Sequence, residues 1–112
     1  MTLQDFRARL HGEQFQFAET LALVAEHYDY RPSAFRNGSV ENAAGRNEGS
    51  CKTLGLALLE GFSLEETLRA FGEHYRAVLA TPDGSDHANI RALQNTGLGG
   101  VQFERQPLAR KA

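Results

Sequence analysis

The chain has 112 residues and a formal net charge of −2, which is the size of one domain with a folded surface of about 6,100 Å². The weak charge excludes an electrostatic attraction to nucleic acid or to an anionic membrane, and the apolar runs are too short to span a bilayer. The lone Cys51 excludes a disulfide framework and a cysteine-rich zinc site, and no pattern indicates a metal or a cofactor.

The first third of the chain is predicted to be helical. Thr2 can cap a short helix that ends at Gly12. A second helix is expected over residues 13–28, because apolar side chains recur there at helical spacing. Pro32 stops any further helix.

A change of period follows the proline. Asn37-Gly38 is the preferred pair for a two-residue type I′ turn, since both residues accept a positive φ. Phe35 and Val40 would then be near partners on one face. This stretch predicts a small β-hairpin.

The middle of the chain is predicted to hold two longer helices. One runs from Ser50 to Glu60 and ends at Gly61, a residue typical of helix C-termini. The other opens at Ser63 with a capping box and continues to Leu79, with a bend at Gly72. Its predicted core stripe consists of Leu64, Leu68, Phe71, Tyr75, Val78 and Leu79.

The last elements complete an α+β fold, a mostly helical single domain with a small antiparallel sheet. Ser85 or Asp86 is expected to cap a final helix that ends at Gly97, and the alternation over 101–104 predicts a short strand that joins the hairpin. Residues 1–104 then form the domain. The basic residues 105–112 lack periodicity and are expected to be a flexible tail.

A polar loop with glycines, Asn42–Lys52, leads into the predicted middle helix. The N–H groups and positive dipole end of a helix favour an anion, and Arg46 and Lys52 add positive charge. Alternatively, the asparagines satisfy the loop's own backbone and Ser50 caps the helix. The loop is not a Walker loop, because its glycine spacing and Gly-Lys-Ser order are wrong.

Cys51 lies in the first turn of that helix, where a thiol pKa is lowered and a nucleophile can arise. Together with His87 and Asp86 it would have the order of a catalytic triad for acyl transfer. Alternatively, Cys51 is a small core residue, because it falls on the apolar face.

A second polar cluster spans residues 83–91. Asp86, His87 and Asn89 are more polar groups than one helix cap needs, and buried polar groups must find partners. We therefore expect these three to face Asn42, Asn47 and Ser50 across one cleft. The cleft is either a small-ligand site or a structural polar network. His27 and His74 are interpreted as packed surface histidines.

Several of these stretches together resemble the HopJ type III effector family, over Pro32 to Phe103 or roughly two thirds of the chain. The matching segments are Ala34–Gly38, Asn42–Lys52, Thr67–Gly72, His74–Leu79 and Pro82–Arg91.

The resemblance implies an effector-like bacterial protein with no defined activity, located in the cytoplasm or secreted into a host cell by type III secretion. Its function is expected to be that of a small binding module for an anionic ligand or a protein partner. The alternative is a small hydrolase or transferase that uses Cys51 and His87. The candidate ligand-binding residues are Asn42, Asn47, Ser50, Lys52, Asp86, His87 and Asn89.

Overall fold

The computed structural model describes residues 1–112 and confirms the α+β class. The helices are α1 Leu3–Arg9, α2 Phe17–His27, α3 Glu48–Glu60, α4 Leu64–Arg69, α5 Glu73–Ala80 and α6 Ala88–Thr96, and the strands are β1 Tyr28–Tyr30, β2 Phe35–Asn37, β3 Val40–Asn42, β4 Val101–Phe103 and β5 Leu108–Arg110. A 3₁₀ turn covers Leu98–Gly100. The accessible surface, 6177 Å², is close to the value expected for this mass.

Helix α3 is the centre of the domain. Leu56 packs into one apolar cluster with side chains of α1 and α2, including Phe6 and Leu23. Leu54 packs into a second cluster with Phe35, Phe71 and Leu93 from the sheet, the α4–α5 junction and α6. Helix α3 is therefore covered on two sides by the rest of the domain.

The three-stranded sheet has the antiparallel order β3-β2-β4, as the hairpin and the later strand predict. The predicted turn was wrong by one residue: Asn37 pairs with Val40, so Gly38 and Ser39 form the loop. Gly38 has a φ of +60° at the first loop position, which is typical of a type II′ turn. Asn37 is thereby the last strand residue, and its side chain is fully buried.

The helix expected over 13–28 starts only at Phe17, after a capping box formed by Gln16 and Glu19. The helix expected from Ser63 to Leu79 is two helices, because α4 ends at Arg69 and Gly72, with a φ of +58°, precedes the first residue of α5. Helix α5 therefore does not continue in the direction of α4. Leu79 and Tyr75 of α5, both expected in the core, are respectively 55% exposed and only partly buried, and Leu64, expected there too, is 37% exposed at the first position of α4.

The segment 105–112, expected to be a flexible tail, instead contains the strand β5, Leu108–Arg110. β5 pairs antiparallel with β1, and the Lys111 N–H extends this ladder by donating to the His27 carbonyl at 2.9 Å. Pro107 packs against Gly55 of α3, where a Cβ would come within 2.6 Å of the proline ring. Burial of Pro107 and of Leu108 supplies the apolar contact that the sequence pattern did not show.

Candidate functional site

The N-termini of α3 and α6 open onto one cavity of about 260 Å³. The cavity therefore brings together the two polar loops that the sequence analysis singled out. Its lining residues are Asn47, Gly49 and Ser50 from the start of α3, His87, Ala88, Asn89 and Ile90 from the start of α6, and Phe17, Phe71 and His74 from the opposite wall.

Both helices start in the same unusual way. The residues that precede them, Asn47 and His87, each have a φ of 51° and are the only non-glycine residues of the chain with a positive φ. The caps expected from Ser50 and from Ser85 or Asp86 were wrong, because no side chain caps either helix. A residue in this left-handed conformation before helical residues turns successive N–H groups towards one point.

These N–H groups have no acceptor within the protein. None of the backbone hydrogen bonds uses the N–H of Gly49 or Ser50 in α3, or of Ala88 or Asn89 in α6. An α-helix leaves its first N–H groups without a partner, and side-chain caps or ligands satisfy them. At this cavity, two sets of such donors and two positive dipole ends converge.

A buried cluster of amides lies behind the cavity and joins the two helix starts. Asn42 Oδ1 accepts from Asn89 Nδ2 at 2.9 Å and from Asn47 Nδ2 at 2.6 Å. Asn37 Nδ2 donates to the Asn89 carbonyl at 2.8 Å and to Asn89 Oδ1 at 3.1 Å. Asn42 and Asn89 thus act through their own hydrogen bonds to fix how far apart α3 and α6 begin.

Two imidazoles lie at the cavity wall. The ring centroids of His74 and His87 are 5.1 Å apart, and the His74 ring also meets the edge of Phe17 at 5.2 Å. Phe17 in turn stacks on Phe71 at 5.9 Å. Sequence reasoning missed His74 as a site residue, because only the break at Gly72 directs α5 so that this histidine faces His87.

Hydrogen bonds from Arg91 hold the loop that carries His87. The Arg91 guanidinium donates to the Thr81 carbonyl at 2.8 Å, to the Asp86 carbonyl at 2.6 Å and to Asp86 Oδ1 at 2.7 Å. The hydrogen bond from the Arg91 guanidinium to Asp86 Oδ1 holds the pKa of this carboxyl below its usual range. Asp86, expected to face the cleft, is therefore turned to Arg91 and does not line the cavity.

Lys52 and Arg46 also lie apart from the cavity. The Lys52 ammonium lies 4.8 Å from the centroid of the Tyr30 ring, on a different side of α3. Arg46 is exposed and does not line the cavity either. Of the seven candidate residues, the structure brings Asn47, Ser50, His87 and Asn89 to the cavity, places Asn42 directly behind it, and leaves Lys52 and Asp86 outside.

Cys51 is 2% exposed and is absent from the cavity lining. Its Sγ contacts the Ser33 carbonyl at 3.8 Å, and burial raises the pKa of the thiol. A buried thiol with a raised pKa is the inert kind rather than the reactive kind. The geometry therefore does not pair Cys51 with His87 as nucleophile and base.

No three His, Cys, Asp or Glu side chains come together in a group that could hold a metal ion. None of the helices has both the length and the apolar character that crossing a membrane requires.

The chain is similar to a solved structure and to one family model over nearly its whole length. It superposes on the crystal structure of the protein VPA0580, of unknown function, with a TM-score of 0.93 and 42% sequence identity, covering 99% of this chain and 95% of that one. No curated protein matches the chain. The family model described as HopJ type III effector protein matches residues 3–108, so this chain belongs to the HopJ type III effector family.

Proposed function

We propose that this protein is a binding module that holds a small anion in the cavity between α3 and α6. One observation carries the proposal: two helix N-termini that no side chain caps open onto the same cavity. N–H donors and dipoles that are already oriented bind an anion without reorganising the protein. Seven of the ten lining residues belong to these two helix starts.

The size and lining of the cavity indicate the kind of ligand. The cavity volume of about 260 Å³ lies near the lower end of the roughly 300–1,000 Å³ range of small-molecule pockets, which suits a small ligand. Phe17, Phe71 and Ile90 supply apolar side chains beside the N–H donors. A phosphate, a sulfate or a small carboxylate with a flat apolar body fits a cavity lined by both N–H donors and apolar side chains.

The same electrostatics disfavours a cation. Two positive dipole ends raise the potential in the cavity, and no carboxylate lines it. A metal ion at His74 and His87 would face that potential with only two imidazole ligands. An anion is therefore the occupant that the surroundings favour.

The test is an NMR titration of the protein with sulfate, phosphate, acetate and benzoate. We expect the amide resonances of Gly49, Ser50, Ala88 and Asn89 to shift together and to saturate with at least one of these anions. A Ser50→Asp variant places a carboxylate at the N-terminus of α3, which suits the helix but competes with the ligand. It should remain folded and lose binding.

Gln4→Asp is the matched control, since it adds the same charge to the first turn of α1, away from the cavity. This variant should bind like the wild type. The proposal is wrong if no anion shifts those amides at millimolar concentration, or if Ser50→Asp binds as well as the wild type.

Membership of an effector family also supports export. We propose that the protein is made in the bacterial cytoplasm and delivered into a host cell by type III secretion. A translocation reporter fused after Ala112 should reach host cells only from a strain whose secretion apparatus is functional. Delivery from a strain without that apparatus, or none from either strain, would contradict the proposal.

A further inference from the structure

We infer that the cavity binds its ligand with uptake of protons by His74 and His87, so that affinity for an anion rises as the pH falls. This inference rests on the proposed anion-binding function and adds its regulation. Histidine is the side chain that gains a proton between about pH 8 and pH 5. The fold brings two of the chain's four histidines to one cavity wall.

The two rings have no hydrogen-bond partner within the chain. Of the four histidine rings, that of His27 alone makes a hydrogen bond, with the Met1 carbonyl. The His87 ring lies 3.9 Å from Asp86 Oδ2, beyond hydrogen-bond distance, and Arg91 holds that carboxylate. The ring nitrogens of His74 and His87 are thus available to a ligand.

Each ring has a neighbouring carboxylate, Glu73 beside His74 and Asp86 beside His87, but both carboxylates already accept hydrogen bonds from other groups. On α5, the Oε1 of Glu73 accepts from the Phe17 N–H at the start of α2, at 2.7 Å. On α3, Glu48 accepts from the Tyr30 hydroxyl, and the lining residues Asn47, Gly49 and Ser50 are neutral. Besides Asp86 and Arg91, α6 offers the neutral Ala88, Asn89 and Ile90.

Two imidazolium ions at a centroid separation of 5.1 Å repel each other. An anion in the cavity that accepts N–H bonds from both rings offsets this repulsion, so binding favours the protonated rings. By linkage, protonation then favours binding to the same extent. Each proton comes from solvent and returns to it when the ligand leaves.

Sulfate is the probe, because its charge stays constant between about pH 5 and pH 8, whereas that of phosphate does not. We expect the sulfate Kd to fall at least about tenfold from pH 8 to pH 5.5, with proton uptake seen by calorimetry in buffers of different ionisation enthalpy. His74→Gln with His87→Asn should remove this dependence, since asparagine tolerates the positive φ at position 87. His11→Gln, in an exposed loop, is the matched control.

The control matters because the sequence pI is about 6.1, so the whole protein becomes positive over the same range. A slope that persists in the double variant would assign the effect to net charge and overturn the inference. A pH-independent sulfate Kd in the wild type would overturn it as well, while the proposed function would stand. Absence of anion binding at every pH would refute both.

Discussion

Asn42 and Asn89 form a reciprocal, buried amide pair. Asn42 Nδ2 donates to Asn89 Oδ1 at 3.2 Å, and Asn89 Nδ2 donates to Asn42 Oδ1 at 2.9 Å. The two residues are 47 positions apart in sequence and both are nearly buried. This contact ties the hairpin to the start of α6 and fixes the geometry of the cavity.

We expect Asn42→Ala and Asn89→Ala each to destabilise the fold by about 1–3 kcal/mol, because each leaves buried amide groups without partners. The double variant should cost less than the sum of the two, by about 0.5–3 kcal/mol. Urea unfolding of the four proteins measures this coupling energy. Asn95→Ala, an exposed change on the same helix, should have almost no effect, and additive costs would show that the pair is not coupled.

Gly72 separates α4 from α5 and lies against the start of α2. A Cβ there would come within 2.4 Å of the Phe17 backbone nitrogen, and φ is +58°. We expect Gly72→Ala to cost about 1–3 kcal/mol more than Gly61→Ala. Gly61 is the control for a positive φ alone, since its φ is +70° and a Cβ meets nothing within 4 Å, whereas the ψ of −128° at Gly72 adds backbone strain to the close approach. Equal unfolding midpoints for the two variants would contradict this close approach.

Arg7 forms a bidentate ion pair with Glu66, at 2.8 Å for both hydrogen bonds. These bonds hold the pKa of Glu66 below its usual range. A carboxylate whose pKa is lower in the folded state stabilises the fold above its unfolded pKa, and this contribution is lost as the pH falls through the folded value. The pair should therefore contribute at neutral pH and not in strong acid.

We expect Glu66→Gln to lower Tm at about pH 7 and to approach the wild-type Tm below about pH 3. Glutamine can still complete the capping box with Ser63, so the change reports mainly the ion pair. Glu65→Gln, at an exposed neighbour, should shift Tm much less. A Tm difference that stays constant across this pH range would refute the linkage.

Cys51 should react slowly with iodoacetamide in the folded protein. Burial raises the pKa of its thiol and limits access, so little thiolate is available at neutral pH. Alkylation followed by mass spectrometry, with and without denaturing urea, should show rapid reaction only in the unfolded chain. Fast alkylation of the native protein near neutral pH would return the cysteine-dependent hydrolase to consideration.

Local sequence patterns were sufficient for most helices and for the small sheet. The caps at Thr2 and Ser63, the helix end at Gly61 and the strand over 101–103 all follow from residues within a few positions of each other. Because all the residues that form such a signal are close together in the sequence, the signal can be recognised without knowledge of the fold. The expected meeting of the two polar loops held for Asn42 and Asn89, which pair with each other, but not for Asp86, which turns to Arg91.

Only the tertiary structure decided the details that give the cavity its character. The sequence suggested side-chain caps, whereas packing of α3 and α6 holds Asn47 and His87 in the left-handed conformation and leaves their helices uncapped. It also suggested a free tail, whereas the β1 edge binds Leu108–Arg110. The residues that make these contacts are far apart in the sequence. A local sequence pattern therefore does not reveal them, because the contacts form only when the chain folds.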